Sequence, residues 1–268
     1  MRTYRKMALK AASKAAEYLR NTFLNSNETE IVEDHGSDVS RRMDLKAEEV
    51  IINVLREEGF KGAIVTEERG TLGEGPPFAV VDPVDGSLNY VVGSPYFAVS
   101  IGISLGDSLE EVEAGALCPA FGHPCYSFEG PRAFQGSEEF SKGRLEKVLF
   151  FYGDPLIERE MEILKGIYSI LGKPKIRTPG SISLDLLSVA KGKALAAVDV
   201  RSKLRNVDLA AAVPLLIRVG GGVNEEVLKV KVDGVRVAGD LIATYDRELL
   251  NKLLQIYASF PKDAVYGE

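Results

Sequence analysis

Asp82 and Asp85 stand three residues apart at the end of an apolar run, in FAVVDPVDGSLN at 78–89. Phe78 to Val81 reads as a buried strand that ends in Asp82, with Pro83 stopping it. Two carboxylates at the mouth of a strand can hold a hard divalent cation through oxygen ligands. Gly86 and Ser87 follow, and a glycine turn that opens a helix can offer backbone N–H groups to an anion. Cation and phosphate side by side are what hydrolysis of a phosphate ester needs. Asp-Pro and Asp-Gly are also ordinary turn formers, so the weight falls on whether further carboxylates join them. Three stand at comparable places: Glu67 after AIVT, Asp44 at a helix start, and Asp208 ahead of a small-residue helix, LAAAV. Alone, Asp208 would be a helix cap and Glu67-Glu68 a solvated pair.

The elements that must position these groups follow from periodicity. Met7, Ala8, Ala11, Ala15, Tyr18 and Leu19 recur at helical spacing, so the N-terminus reads as an amphipathic helix. A polar stretch at 29–40 reads as a loop, and Asp44 opens a second helix with Leu45, Val50, Ile51, Val54 and Leu55 as its inner stripe. Glycines and prolines crowd the end of 69–77, a surface loop. Turn-bounded strand segments at 97–105, 113–118 and 124–129 fit an antiparallel sheet. From about 145 strands and helices alternate: strands at 148–152, 176–177 and 194–200; helices at 155–171, 183–191, 208–219 and 246–259. The expectation is an α+β half at 1–144 carrying most of the acidic site, and a smaller mixed α/β half at 145–268, with a cleft between them.

Composition narrows the function. The chain has 268 residues, 45% hydrophobic and 27% charged, with a formal net charge of −6. That charge argues against a nucleic-acid partner, which would require a basic face. It also means that a phosphate is held only where the field is locally inverted, and bound cations are the simplest device. No apolar run approaches a membrane span and the basic N-terminus lacks the apolar core of a secretory signal, so no membrane partner and cytoplasmic residence are expected. Cys118, His123 and Cys125 in CPAFGHPC lack a fourth zinc ligand, and a disulfide would suit only an oxidising compartment. The segment reads as a plain strand-turn-strand.

Taken together these motifs resemble the inositol monophosphatase and fructose-1,6-bisphosphatase superfamily of magnesium-dependent phosphatases. Thr66-Glu67-Glu68 is similar to its glycine-glutamate-glutamate element, with Thr66 in place of the glycine. Asp82-Pro83-Val84-Asp85-Gly86-Ser87 resembles its central element, and Val207-Asp208-Leu209-Ala210-Ala211 its last aspartate element. Asp38-Val39-Ser40 with Asp44, and GSISLDLLSVAKG at 180–192, resemble two further elements.

The resemblance implies a layered αβαβα sandwich with the site where the two halves meet, and two to three Mg2+ per site, with Mn2+ as a substitute. By it, Glu67, Asp82 and the Val84 carbonyl would hold one metal, and Asp82, Asp85 and Asp208 a second. Gly86 and Ser87, beside Asp85, would take phosphate oxygens; Asp44, Glu67 and Ser87 would orient and deprotonate the attacking water. A glutamate that contacts inositol in the inositol-specific pattern is Arg201 here, followed by Lys203 and Arg205. These suggest a second anion site, hence fructose 1,6-bisphosphate with inositol 1-phosphate also accepted, and Tyr152 and Ser181 as further substrate contacts. Glu33 stands where some relatives carry a lysine tied to lithium response, so that response is not carried over. A homodimer is the expectation by resemblance. The rivals are a phosphatase for 3'-phosphoadenosine 5'-phosphate or NADP, and a non-catalytic metal-dependent binding protein.

Overall fold

A computed structural model describes residues 3–34 and 39–261. Asp38 and the side chain of Glu33 lie outside that description. The chain opens with α1 (Tyr4–Thr22), the strands β1 (Ile31–Asp34) and β2 (Val39–Arg41), and α2 (Arg42–Glu57). Next come β3 (Ala63–Thr66), β4 (Gly70–Leu72), β5 (Phe78–Asp85), α3 (Ser87–Val91), β6 (Ala98–Ser104) and β7 (Val112–Pro119). Then follow β8 (Tyr126–Glu129), β9 (Arg132–Gln135), β10 (Glu138–Glu139), β11 (Val148–Tyr152), α4 (Glu158–Ile170), β12 (Lys175–Arg177) and α5 (Ile182–Ala190). The chain closes with β13 (Ala196–Arg205), α6 (Asn206–Leu209), α7 (Ala212–Arg218), β14 (Gly222–Val223), α8 (Glu225–Leu228), β15 (Val237–Thr244) and α9 (Arg247–Ser259).

Two sheets carry the architecture. An eight-stranded sheet runs β10-β9-β8-β7-β6-β5-β3-β4, antiparallel except for the parallel β3–β5 pair. A five-stranded sheet runs β12-β11-β13-β15-β14, parallel across its first three strands and antiparallel at the other edge. The central strands are buried on both faces, and the alternation of their side chains sets the layers. Ile64, Ala79, Val81, Val99 and Ile101 face α1 and α2, whose Ala8, Ala11, Ala15, Leu19 and Ile51 are fully buried. The small alanines let α1 lie close on the sheet, and Thr3 caps it by accepting the Lys6 N–H. The opposite face, with Val65, Val80 and Leu117, packs on α5 and α7 through Leu184, Leu187 and Val213. Those helices are covered in turn by Tyr152, Ala197 and Leu241 of the second sheet, and α4 and α9 close its far face over Leu149, Val198 and Ile242. The expected αβαβα sandwich is the observed fold.

Several elements differ from expectation for local reasons. β5 does not end at Asp82: it continues to Asp85 with an irregular register against β6, because Pro83 has no N–H to pair but sits where the strand bulges. Within the 29–40 stretch β1 and β2 pair antiparallel, and the 69–77 loop contains β4. The inner stripe of α2 is Met43, Ala47, Ile51 and Leu55, with Leu45, Val50 and Val54 only half-buried. The single helix read at 208–219 is two, α6 and α7. Their junction lies against β6, where a Cβ on Gly102 would come 2.3 Å from the Ala210 carbonyl oxygen. Glycine there is what lets α6 pack onto β5 and bring Asp208 to it. Cys118 and Cys125, read as a plain strand-turn-strand, are a disulfide across the β7–β8 turn. Antiparallel pairing of β7 with β8 brings the two sulfurs within reach despite the weak sequence pattern.

Candidate active site

A cavity of about 390 Å³ opens where the end of β5, the starts of α2 and α3, the β3–β4 turn and the β13–α6 junction meet. Its acidic lining is Asp44, Glu67, Glu68, Asp82, Asp85 and Asp208; its basic lining is Arg201 and Arg205. Asp44 and Asp208 are placed by the same device. Each is the third residue of its helix and accepts the backbone N–H of the preceding arginine, Arg41 at 3.1 Å and Arg205 at 2.7 Å. Both side chains thereby serve as helix caps and as walls of the cavity.

The β5 bulge turns its acids into one place. Val84 N–H donates to Asp82 Oδ1 at 3.0 Å. Gly86 adopts φ 97°, a left-handed turn that starts α3, and a side chain there would crowd the Tyr96 and Gly180 carbonyls. Ser87 Oγ then lies 2.9 Å from both Asp44 Oδ1 and the Val84 carbonyl oxygen. Asp85 is held from the other half of the molecule: Ser181 Oγ (2.6 Å), Ser183 N–H (2.7 Å) and the Ser183 hydroxyl all donate to its Oδ2. Thr66, standing for a glycine, accepts the Arg69 N–H at 3.2 Å and so ties the turn that carries Glu67 and Glu68. Buried Glu48 accepts the same N–H at 3.2 Å and pairs with the Arg69 side chain.

Crowded, buried carboxylates resist ionisation. Asp44 is pushed up to about 7, first by burial and then by neighbouring Glu67, against the Ser87 hydrogen bond that favours the anion. Burial also raises Asp208 to about 7 and Glu68 to about 8, with Glu67 adding to both. Asp82 and Asp85 rise for the same first reason. Hard oxygen donors therefore outnumber the cations facing them, and Glu67, Asp82, Asp85, Asp208 and the Val84 carbonyl fit divalent cations by the chemistry of the set. As the side chains stand, no three acids, histidines or cysteines among the described residues enclose one point, and Glu67 pairs with Arg205.

On the substrate side the expected residues divide. Arg201 lines the cavity; it pairs with buried Asp199, Nη2 to Oδ2 2.6 Å and Nε to Oδ1 3.1 Å, and its guanidinium lies 4.8 Å from the centre of the Tyr152 ring. A register irregularity in β13, with Ser202 at φ 58°, sets it there. Arg205 lies on the acidic side, bonded to Glu67. Lys203 is exposed and does not line the cavity. Tyr152 lines it, and its hydroxyl donates to Asp185 and accepts the Gly180 N–H at 2.8 Å. Ser181 is fully buried and its hydroxyl is directed to Asp85. Sequence reasoning did not single out Ser183, Asp185 and Asp199; the GSISLD run carried the signal for the first two, while Asp199 had none.

The layered fold and the acidic cavity at the junction of its sheets define a phosphatase class. The sequence profile of the inositol monophosphatase family matches residues 1–226, and the chain belongs to that family. A fructose-1,6-bisphosphatase/inositol-1-monophosphatase of Thermococcus kodakarensis is 31% identical over 238 residues, 84% of this chain and 85% of that one. An inositol-1-monophosphatase of Aeropyrum pernix is 28% identical, covering 91% and 94%. Among solved structures, a Pyrococcus horikoshii protein described as similar to inositol-1 monophosphatase superposes with a TM-score of 0.75 at 26% identity, over 94% of this chain and 97% of its own. The chain is a phosphatase, acting on small-molecule phosphate esters. No helix among the described residues is long and apolar enough to cross a membrane.

Proposed function

We propose that the protein is a magnesium-dependent phosphomonoesterase for sugar and polyol phosphates, fructose 1,6-bisphosphate first and inositol 1-phosphate also. The observation that carries this reading is the meeting, in one cavity, of Asp44 bonded to Ser87 with the acids Glu67, Asp82, Asp85 and Asp208. Glu67, Asp82, the Val84 carbonyl, Asp85 and Asp208 would hold two to three Mg2+, or Mn2+ as a substitute. When bound, these cations supply an activated water and stabilise the leaving oxygen. Asp44, bonded to the Ser87 hydroxyl, is the proton acceptor, and Ser87 relays between it and the cavity. The Gly86 and Ser87 N–H groups, at the turn into α3, would take phosphate oxygens. Arg201, over Tyr152, takes a second phosphate, its fork shared with Asp199. The name of the Thermococcus relative supports the bisphosphate. Residues 1–144 carry most of the cation-holding acids and residues 145–268 supply Asp208 and the substrate contacts, in a homodimer.

The test is phosphate release with and without Mg2+ from fructose 1,6-bisphosphate, inositol 1-phosphate, NADP and 3'-phosphoadenosine 5'-phosphate. Turnover led by the fructose ester is expected. Turnover led by a nucleotide would overturn the sugar assignment. A Pseudomonas aeruginosa relative, 31% identical over 82% of this chain, is named a Nus factor. Mg2+ binding with no turnover of any ester would favour a non-catalytic metal-dependent binding role over catalysis.

A further inference from the structure

We propose that Arg205 is an internal counter-cation of the acidic cavity: its guanidinium bridges Glu67 and Asp208 until a divalent cation binds, and is then released toward the phosphate ester. This rests on reading the cavity as a divalent-cation phosphatase site. The geometry points to it in three ways. Arg205 Nη2 is hydrogen-bonded to Glu67 Oε1, and Nε lies 3.9 Å from Asp208 Oδ1, so one side chain spans two acids from distant parts of the chain. The bridge is separable from the scaffold, because Asp208 is already held by the Arg205 backbone N–H at 2.7 Å. Swinging the guanidinium away leaves that cap and the start of α6 in place. The bridge is also not sealed in: the Arg205 side chain is 27% exposed, on the wall of the same cavity that holds Ser87.

The chemistry of arginine makes this more than a surface pair. A guanidinium does not deprotonate in proteins, so Arg205 stays positive at every working pH and competes with a cation for Glu67. In the metal-free chain it offsets repulsion among the acids. In the loaded chain the same charge would repel the cation, unless it turns to an anion. Metal affinity is therefore set below what the acids alone would give, and an anionic ester that accepts Arg205 restores it. Linkage requires the converse, that the cation favours ester binding by the same factor.

Mg2+ titration calorimetry of the chelator-treated full chain tests this, with and without inorganic phosphate, alongside thermal unfolding in chelator. Wild type, Arg205→Gln and Arg205→Lys are compared. Arg205→Gln is expected to bind Mg2+ at least tenfold more tightly than wild type, to unfold at lower temperature in chelator, and to lose most of the gain in Mg2+ affinity that phosphate gives wild type. Arg205→Lys, which keeps the charge but not the fork, falls between and carries the test if the glutamine variant does not fold. Equal or weaker Mg2+ binding by the substituted chains, with wild type binding normally, overturns the counter-cation role alone. No Mg2+ binding by wild type overturns the metal-site reading with it.

Discussion

Replacing Asp44 by asparagine separates what the carboxylate costs the fold from what it does in the site. In the wild-type chain without divalent cations, burial raises Asp44 from 3.8 to about 7. The folded state then binds more protons than the unfolded state between about pH 4 and pH 7, so this group lowers stability as pH rises through that window. A rise of that size corresponds to about 4 kcal/mol. Asparagine removes that loss, and the local hydrogen bonds can be kept. Its carbonyl can accept the Arg41 N–H, and its amide can donate to Ser87 Oγ, which still reaches the Val84 carbonyl at 2.9 Å. The expected result, by chemical denaturation in chelator, is equal stability of Asp44→Asn and wild type near pH 4, and a variant about 2 to 4 kcal/mol more stable at pH 8. With Mg2+ present, phosphate release should fall by about 10²- to 10⁴-fold as the proton acceptor is lost. A variant less stable than wild type at pH 8 would refute the argument that the buried carboxylate is strained there.

Three other outcomes follow from the same geometry. Ser183→Ala removes one hydroxyl from Asp85 but leaves its backbone donor; stability at pH 8 should fall by about 1 to 3 kcal/mol, measured by denaturant titration. Arg201→Ala should raise KM for a bisphosphate by about tenfold or more while leaving KM for a monophosphate nearly unchanged, since only the second phosphate is taken to meet its fork. Reducing the Cys118–Cys125 bridge, or replacing both cysteines by serine, should cost about 2 kcal/mol, because a sequence separation of 7 closes only a short loop; a thermal shift between oxidised and reduced protein measures it.

What could be read from the chain alone was the chemistry and most of the elements. Apolar spacing located α1, β3, β6, α5 and α9, because a residue's neighbours at three, four or two positions decide which face is buried. The DPVDGS run with Asp44, Glu67 and Asp208 suggested an acidic site, but taken singly they read as turns, caps and a solvated pair, and only the joint motif resemblance outweighed that reading. Tertiary structure decided how those groups are partnered. Asp199 neutralises Arg201, Glu67 engages Arg205 from 138 residues away, and Ser183 holds Asp85 from 98 away. Cys118 and Cys125 meet only because β7 and β8 pair. Such contacts depend on sheet register and on close approaches such as that of Gly102 to Ala210, which no local pattern encodes. A side chain's type thus sets what it can do, while its distant neighbours determine whether its charge is free, paired or held back by burial.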